Sequence, residues 1–189
     1  QPTYTYTVYA DVTDINGETH SSQTPVSVAY TALALNVNIP ELLEQENKES
    51  FLISTTNMSG QFEPAQAKIE IYKLQEPGKT YRKRPWNLPD KFLLSKAEFE
   101  KFFPNDEYKD ENNKYKWERA EKVFEKSFSN RINVSKLHNG EKINDSVKIT
   151  NLKSWKQGVY VMEAHSKDAY GEDVKDVNYF TVYSNNGNE

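Results

Sequence analysis

Apolar and polar residues alternate along two long stretches of this chain, one near each end, and the same turn interrupts both. In the later stretch Tyr160, Met162 and Ala164 alternate with Val161, Glu163 and His165. That is the period-2 pattern of a half-buried strand. Asp168 then opens a turn that Gly171 closes, and a second strand runs to Tyr183. Asp at the first position and Gly at the last predict a turn whose final residue takes positive φ. Just upstream, the spacing of Leu152, Gly158 and Tyr160 is that of a tyrosine corner, in which the phenol bonds back to earlier backbone.

The earlier stretch superposes on the later one without a gap. Asp14, Gly17 and Glu18 fall on Asp168, Gly171 and Glu172, and the differences 168 − 14, 171 − 17 and 172 − 18 are all 154. Tyr6, Val8, Ala10, Val26 and Val28 fall on Tyr160, Met162, Ala164, Phe180 and Val182. A hairpin matched along its whole length is an internal repeat. It predicts that residues 1–30 are the last two strands of one sandwich and that 31–184 make a complete second one. Residues 185–189 read as a tail, and the chain as a piece of a longer array.

Between the hairpins, Leu33, Leu35, Val37 and Ile39 predict the first strand of the complete unit, ended by Pro40. Glu41 to Glu49 reads as a solvated turn or a single helical turn. Phe51–Thr56 and Ala67–Leu74 read as strands two and three. Residues 75–131 then break the pattern. Ser95 and Glu98 form a capping box, Phe99, Phe102 and Phe103 make an apolar helix face, and Pro104 stops it. A second helix is predicted from Trp117 to Phe128 on Ala120, Val123 and Phe124, with an open, mobile loop from Asn105 to Lys116 between the two. Arg131–Val134 and Val147–Ile149 read as strands, and His138–Asn144 as a turn. The fold class is all-β, an antiparallel β-sandwich of immunoglobulin or fibronectin III type with a partly helical insertion.

Composition narrows the function. A net charge of −4 lacks the basic footprint of a nucleic-acid or anionic-membrane binder. Zero Cys excludes a disulfide framework and a thiolate metal site. His20, His138 and His165 form no metal-ligand spacing. Asp168, Glu172, Asp173 and Asp176 cluster at a turn without the alternating order of a calcium loop. There is no nucleophile elbow and no phosphate loop. The expectation is a non-enzyme without cofactor. The one basic, aromatic patch, Arg82, Lys83, Arg84 and Trp86, is a weak interface candidate. Trp86 is expected to anchor the insertion on the sandwich, its basic neighbours solvated.

Tyr6 to Thr19 with the Val26-x-Val28 strand resembles the macroglobulin-like domains of bacterial alpha-2-macroglobulin family proteins. So do Ile53–Ala65 and Arg84–Asp90. These are framework motifs without chemistry. The resemblance implies a scaffold domain of a large cell-envelope protein that traps or inhibits proteases. Its thioester, a Cys and a Gln in family members, is not in this Cys-free stretch. Implied partners are other domains of the same chain and, through the whole protein, a protease. A fibronectin-like adhesion or carbohydrate-binding module is the alternative. The first hairpin, short of the rest of its sandwich, is expected to pair with another molecule.

Overall fold

The computed structural model describes residues 3–47, 49–129 and 145–185. Strands β1 (Thr3–Thr13) and β2 (Thr19–Ala29) form an antiparallel hairpin that pairs with no other strand among the described residues. The sandwich follows: β3 (Ala34–Asn38), β4 (Leu42–Glu44), β5 (Ser50–Thr56), β6 (Gln66–Leu74), β7 (Arg119–Ser129), β8 (Asp145–Lys148), β9 (Gly158–Lys167) and β10 (Asp173–Tyr183). A five-stranded sheet in the order β4-β10-β9-β6-β7 faces a three-stranded sheet in the order β3-β5-β8.

Alternation decides which side chains meet between the sheets. Ile69 and Ile71 of β6, Met162 and Ala164 of β9, and Phe180 and Val182 of β10 pack against Leu35, Val37, Phe51, Ile53 and Val147. Side chains one residue out of phase lie on the outer face, where Val161 and Glu163 of the central strand β9 are buried as well. On the outer face of β6 and β7, Lys68, Glu70, Lys122 and Glu125 form a cross-strand ion ladder, with Lys68 Nζ 2.9 Å from Glu70 and 3.0 Å from Glu125. One face is dry and the other charged, which pins the register, since a slip by one residue would exchange them.

Two inward polar groups on β10 protect an edge. The Asp176 carboxylate accepts from the Val37 amide at 2.7 Å, and Asn178 Nδ2 donates to the Val37 carbonyl at 3.2 Å. They satisfy backbone groups of edge strand β3 that would otherwise be open to pairing. Asp176 is thus bound to the sandwich and does not stand in a solvated acidic cluster.

Three expectations need correction. Residues Arg119–Ser129 are strand β7, paired with β6, and not a second helix. Phe124 and Phe128 stand four apart, which places them on one face of a helix and also on one face of a strand. The free edge of β6 decided for the strand, with a register shift between Ile71 and Tyr72 that displaces Val123. The insertion therefore closes at residue 118, where Gln75 N donates to the Glu118 carbonyl at 2.9 Å. Secondly, Leu42–Glu44 is neither turn nor helix. It adds a parallel edge to β10 and buries Leu43 completely. Thirdly, Asn105–Lys116 is cross-braced, as described below. Arg131–Val134 and His138–Asn144 lie outside the described residues.

Candidate functional site

The first candidate region is the pair of repeated turns. At the β9–β10 turn, Asp168 N donates to the Glu172 carbonyl at 3.0 Å and Gly171 N to the Asp168 carbonyl at 3.1 Å. Asp168 Oδ1 accepts from Tyr170 N and Glu172 N, both at 2.9 Å. At the β1–β2 turn the same bonds run from Asp14 N to Glu18 at 2.9 Å and from Gly17 N to Asp14 at 3.1 Å. Asn16 N and Glu18 N reach Asp14 Oδ1, again both at 2.9 Å. Gly17 and Gly171 have φ of 84° and 89°, the left-handed region where a Cβ is strained. The strands keep the 154-residue shift as well: Tyr6 opposes Val26 as Tyr160 opposes Phe180.

Burial separates the two copies. Tyr160, Met162 and Val182 are 0%, 0% and 1% exposed, whereas Tyr6, Val8 and Val28 are 61%, 50% and 48% exposed. The face that β3, β5 and β8 cover in the second copy is open to water in the first.

Around Tyr160 the tyrosine corner is complete. Its hydroxyl donates to the Lys156 carbonyl at 2.6 Å, and its ring stacks on Phe180 at 5.7 Å. Burial raises the phenol pKa to about 12, with Glu121 and Glu76 adding to the effect. Leu152 is buried beneath the corner. Gly158, at φ 132°, leaves room for Glu76, whose carboxylate accepts from Val159 N at 2.8 Å; a Cβ there would lie 2.0 Å from that carboxylate. On the outer face, burial opposes ionisation of Glu163, but Arg119 and Lys175 outweigh it and hold its pKa below the ordinary value.

The second candidate region is the insertion. Helix α1 (Lys96–Phe102) is capped by Ser95, whose hydroxyl accepts from Glu98 N at 3.3 Å, while Ser95 N donates to the Glu98 carboxylate at 2.9 Å. The Ser95 hydroxyl and amide together keep the Glu98 pKa below its ordinary value. Phe99 packs against Phe103 at 5.1 Å and Tyr108 at 5.3 Å, forming a small aromatic core. Arg84 ties the loop down: its Nη2 lies 3.1, 2.9 and 2.9 Å from the carbonyls of Glu107, Tyr108 and Lys109. Arg82 pairs with Asp106 at 2.7 Å, Tyr108 OH donates to the Leu94 carbonyl at 2.8 Å, and Trp117 Nε1 to the Glu111 carbonyl at 2.7 Å.

All four residues of the basic patch, Arg82, Lys83, Arg84 and Trp86, line a cavity of about 520 Å³ together with Phe92 and Phe99. Arg82 and Arg84 are in addition struts of the insertion itself. Trp86 is 70% exposed, so it does not anchor the insertion to the sandwich. The aromatic core that does brace the insertion is built from Phe92, Phe99, Phe103 and Tyr108. Sequence inspection passed over Tyr108 and the loop carbonyls, because backbone acceptors leave no trace in residue types.

Among the described residues, no group of three or more His, Cys, Asp or Glu is placed to hold a metal ion. No helix among them is long and apolar enough to cross a membrane. Fold and site together define an all-β sandwich whose last hairpin occurs twice. Comparison with family models and with characterised proteins finds no match.

Proposed function

We propose that this chain is a non-catalytic scaffold segment of a protein built from tandem β-sandwich units. One observation carries the reading: the β1–β2 hairpin repeats β9–β10 in sequence, register and turn bonding, yet its inward face is uncovered. A two-stranded hairpin is marginal alone in water and requires a facing sheet. The fitting cover is a sheet like β3-β5-β8, belonging to another unit of the same kind. The resemblance to macroglobulin-like domains extends this to a cell-envelope protease trap or inhibitor, with this segment serving as frame.

Exposed Trp86 beside an aromatic-lined cavity favours a second reading, a carbohydrate-binding or adhesion module. Two assays separate them. The whole protein is incubated with a panel of endoproteases and assayed for retained protease that still cleaves small substrates but not large ones. The chain itself is screened on a glycan array beside a Trp86→Ala variant. Protease retention with no glycan binding is the expected outcome. Glycan binding that Trp86→Ala abolishes would replace the scaffold reading with the second.

A further inference from the structure

Four residues, Tyr30 to Leu33, separate β2 from β3. They are not a free tether. Ala32 N donates to Asp168 Oδ2 at 2.9 Å across 136 residues of sequence. Thr31, Leu33 and Asp168 are all buried, at 8%, 2% and 8% exposure. The Ala32 amide is the leading cause that holds the Asp168 carboxyl below its ordinary pKa. Tyr30 meets Glu172 of the same turn, whose negative charge and hydrogen bond raise the phenol pKa. One carboxylate thus does two jobs: Oδ1 shapes the turn, and Oδ2 holds the segment that enters the sandwich. A charged acceptor oriented by two of its own turn amides makes a strong, directional bond.

At the tip of the first hairpin the same aspartate is set in the same way. Asp14 Oδ1 holds Asn16 N and Glu18 N, and Glu18 stands where Glu172 stands. Among the described residues, its Oδ2 meets only Asn16 Nδ2, at 3.5 Å. We propose that this aspartate is the joint fixing each sandwich unit to the segment that enters it. The β1–β2 tip is then the docking surface for the entry segment of its own unit. That partner is extended backbone offering one N–H to Asp14, with a hydroxyl-bearing side chain two residues earlier beside Glu18. A short connection pinned at one amide is stiff, so consecutive units keep a set orientation, unlike units on a flexible linker. This inference rests on the tandem-unit reading.

The test is NMR on the whole chain, with Asp168→Asn and Asp14→Asn variants. Asn keeps the Oδ1 acceptor and hence the turn, but puts an NH₂ where Ala32 needs an acceptor. In Asp168→Asn the Ala32 amide should exchange about tenfold faster or more, the range for loss of a charge-assisted bond. Residual dipolar couplings of hairpin and sandwich should fit one alignment tensor in the parent and in Asp14→Asn, and separate tensors in Asp168→Asn. Separate tensors in the parent, or no change in Asp168→Asn, would overturn the joint. If Asp168→Asn fails to fold, Ala32→Pro removes the donor and leaves the turn intact, with the residual dipolar couplings as its readout. The tandem reading has its own arm. In a longer chain carrying the residues before Gln1, Asp14→Asn should speed exchange of one amide upstream of β1. Failure of that arm alone defeats the tandem reading and leaves the Asp168 joint standing.

Discussion

Arg84 Nη2 lies 2.9 Å from the Tyr108 carbonyl oxygen, with the Glu107 and Lys109 carbonyls at 3.1 and 2.9 Å. A residue expected at an interface is thus a strut that folds one half of the insertion over the other. Bonds from a charged donor contribute about 1.5–3 kcal/mol each when shielded from water, and less where the solvent reaches them. Arg84→Ala should therefore loosen the insertion by about 1–3 kcal/mol. Amide exchange across Asn105–Lys116 should quicken while the melting temperature of the sandwich barely moves. Trp86→Ala, being exposed, should shift stability by no more than about 0.5 kcal/mol. Equal effects of both variants on exchange would show that the Arg84 bonds do not brace the loop.

Tyr160→Phe keeps the ring between Trp155 and Phe180 but removes the hydroxyl from the Lys156 carbonyl. That bond is part-buried, so an acceptor left without its donor costs at most about 1–3 kcal/mol. Chemical denaturation should show a loss in that range with an unchanged slope. A loss below about 0.5 kcal/mol would mean that water replaces the phenol, within the scatter of surface substitutions.

The acid response follows from Glu70. Hydrogen bonds from Lys68 and Lys122 outweigh burial and hold its pKa at about 2, below the ordinary 4.5. A carboxyl depressed in the folded state binds fewer protons than in the unfolded state. Its contribution is complete above about pH 4.5 and fades as the pH falls towards 2. Between those values the parent should lose stability more steeply than Glu70→Gln, as read by denaturation midpoints at each pH. Parallel curves would show that the ladder is screened by solvent.

The hairpin presents Tyr4, Tyr6, Val8, Val12, Val26 and Val28 to water. Those side chains lie on one face, as the pairing of Tyr4 with Val28 and Tyr6 with Val26 requires. Among the described residues, its outer strand edges pair with no other strand. Self-association should rise with concentration, seen as increasing mass by light scattering. Tyr6→Ser with Val8→Ser, or removal of residues 1–30, should abolish it. A monomer at every concentration would show that the hairpin tolerates exposure without a partner.

Local pattern alone determined much of this protein. Alternation marked β5, β6, β9 and β10, the 154-residue shift revealed the repeated hairpin, and the Ser95–Glu98 box marked a helix start. These features depend on contacts between residues near in sequence, so residue types suffice to read them. Tertiary structure decided the rest. Phe124 and Phe128 suit either a helix or a strand, and the open edge of β6 made the choice. Leu42–Glu44 became a strand because β10 offered it a parallel partner. Asp168, Asp176 and Arg84 look like surface charges in the sequence. Their roles come from backbone groups of Ala32, Val37 and Tyr108, brought to them by the fold. Every residue but proline carries the same amide and every residue the same carbonyl, so which ones a charged side chain will meet is set only when the sheets close.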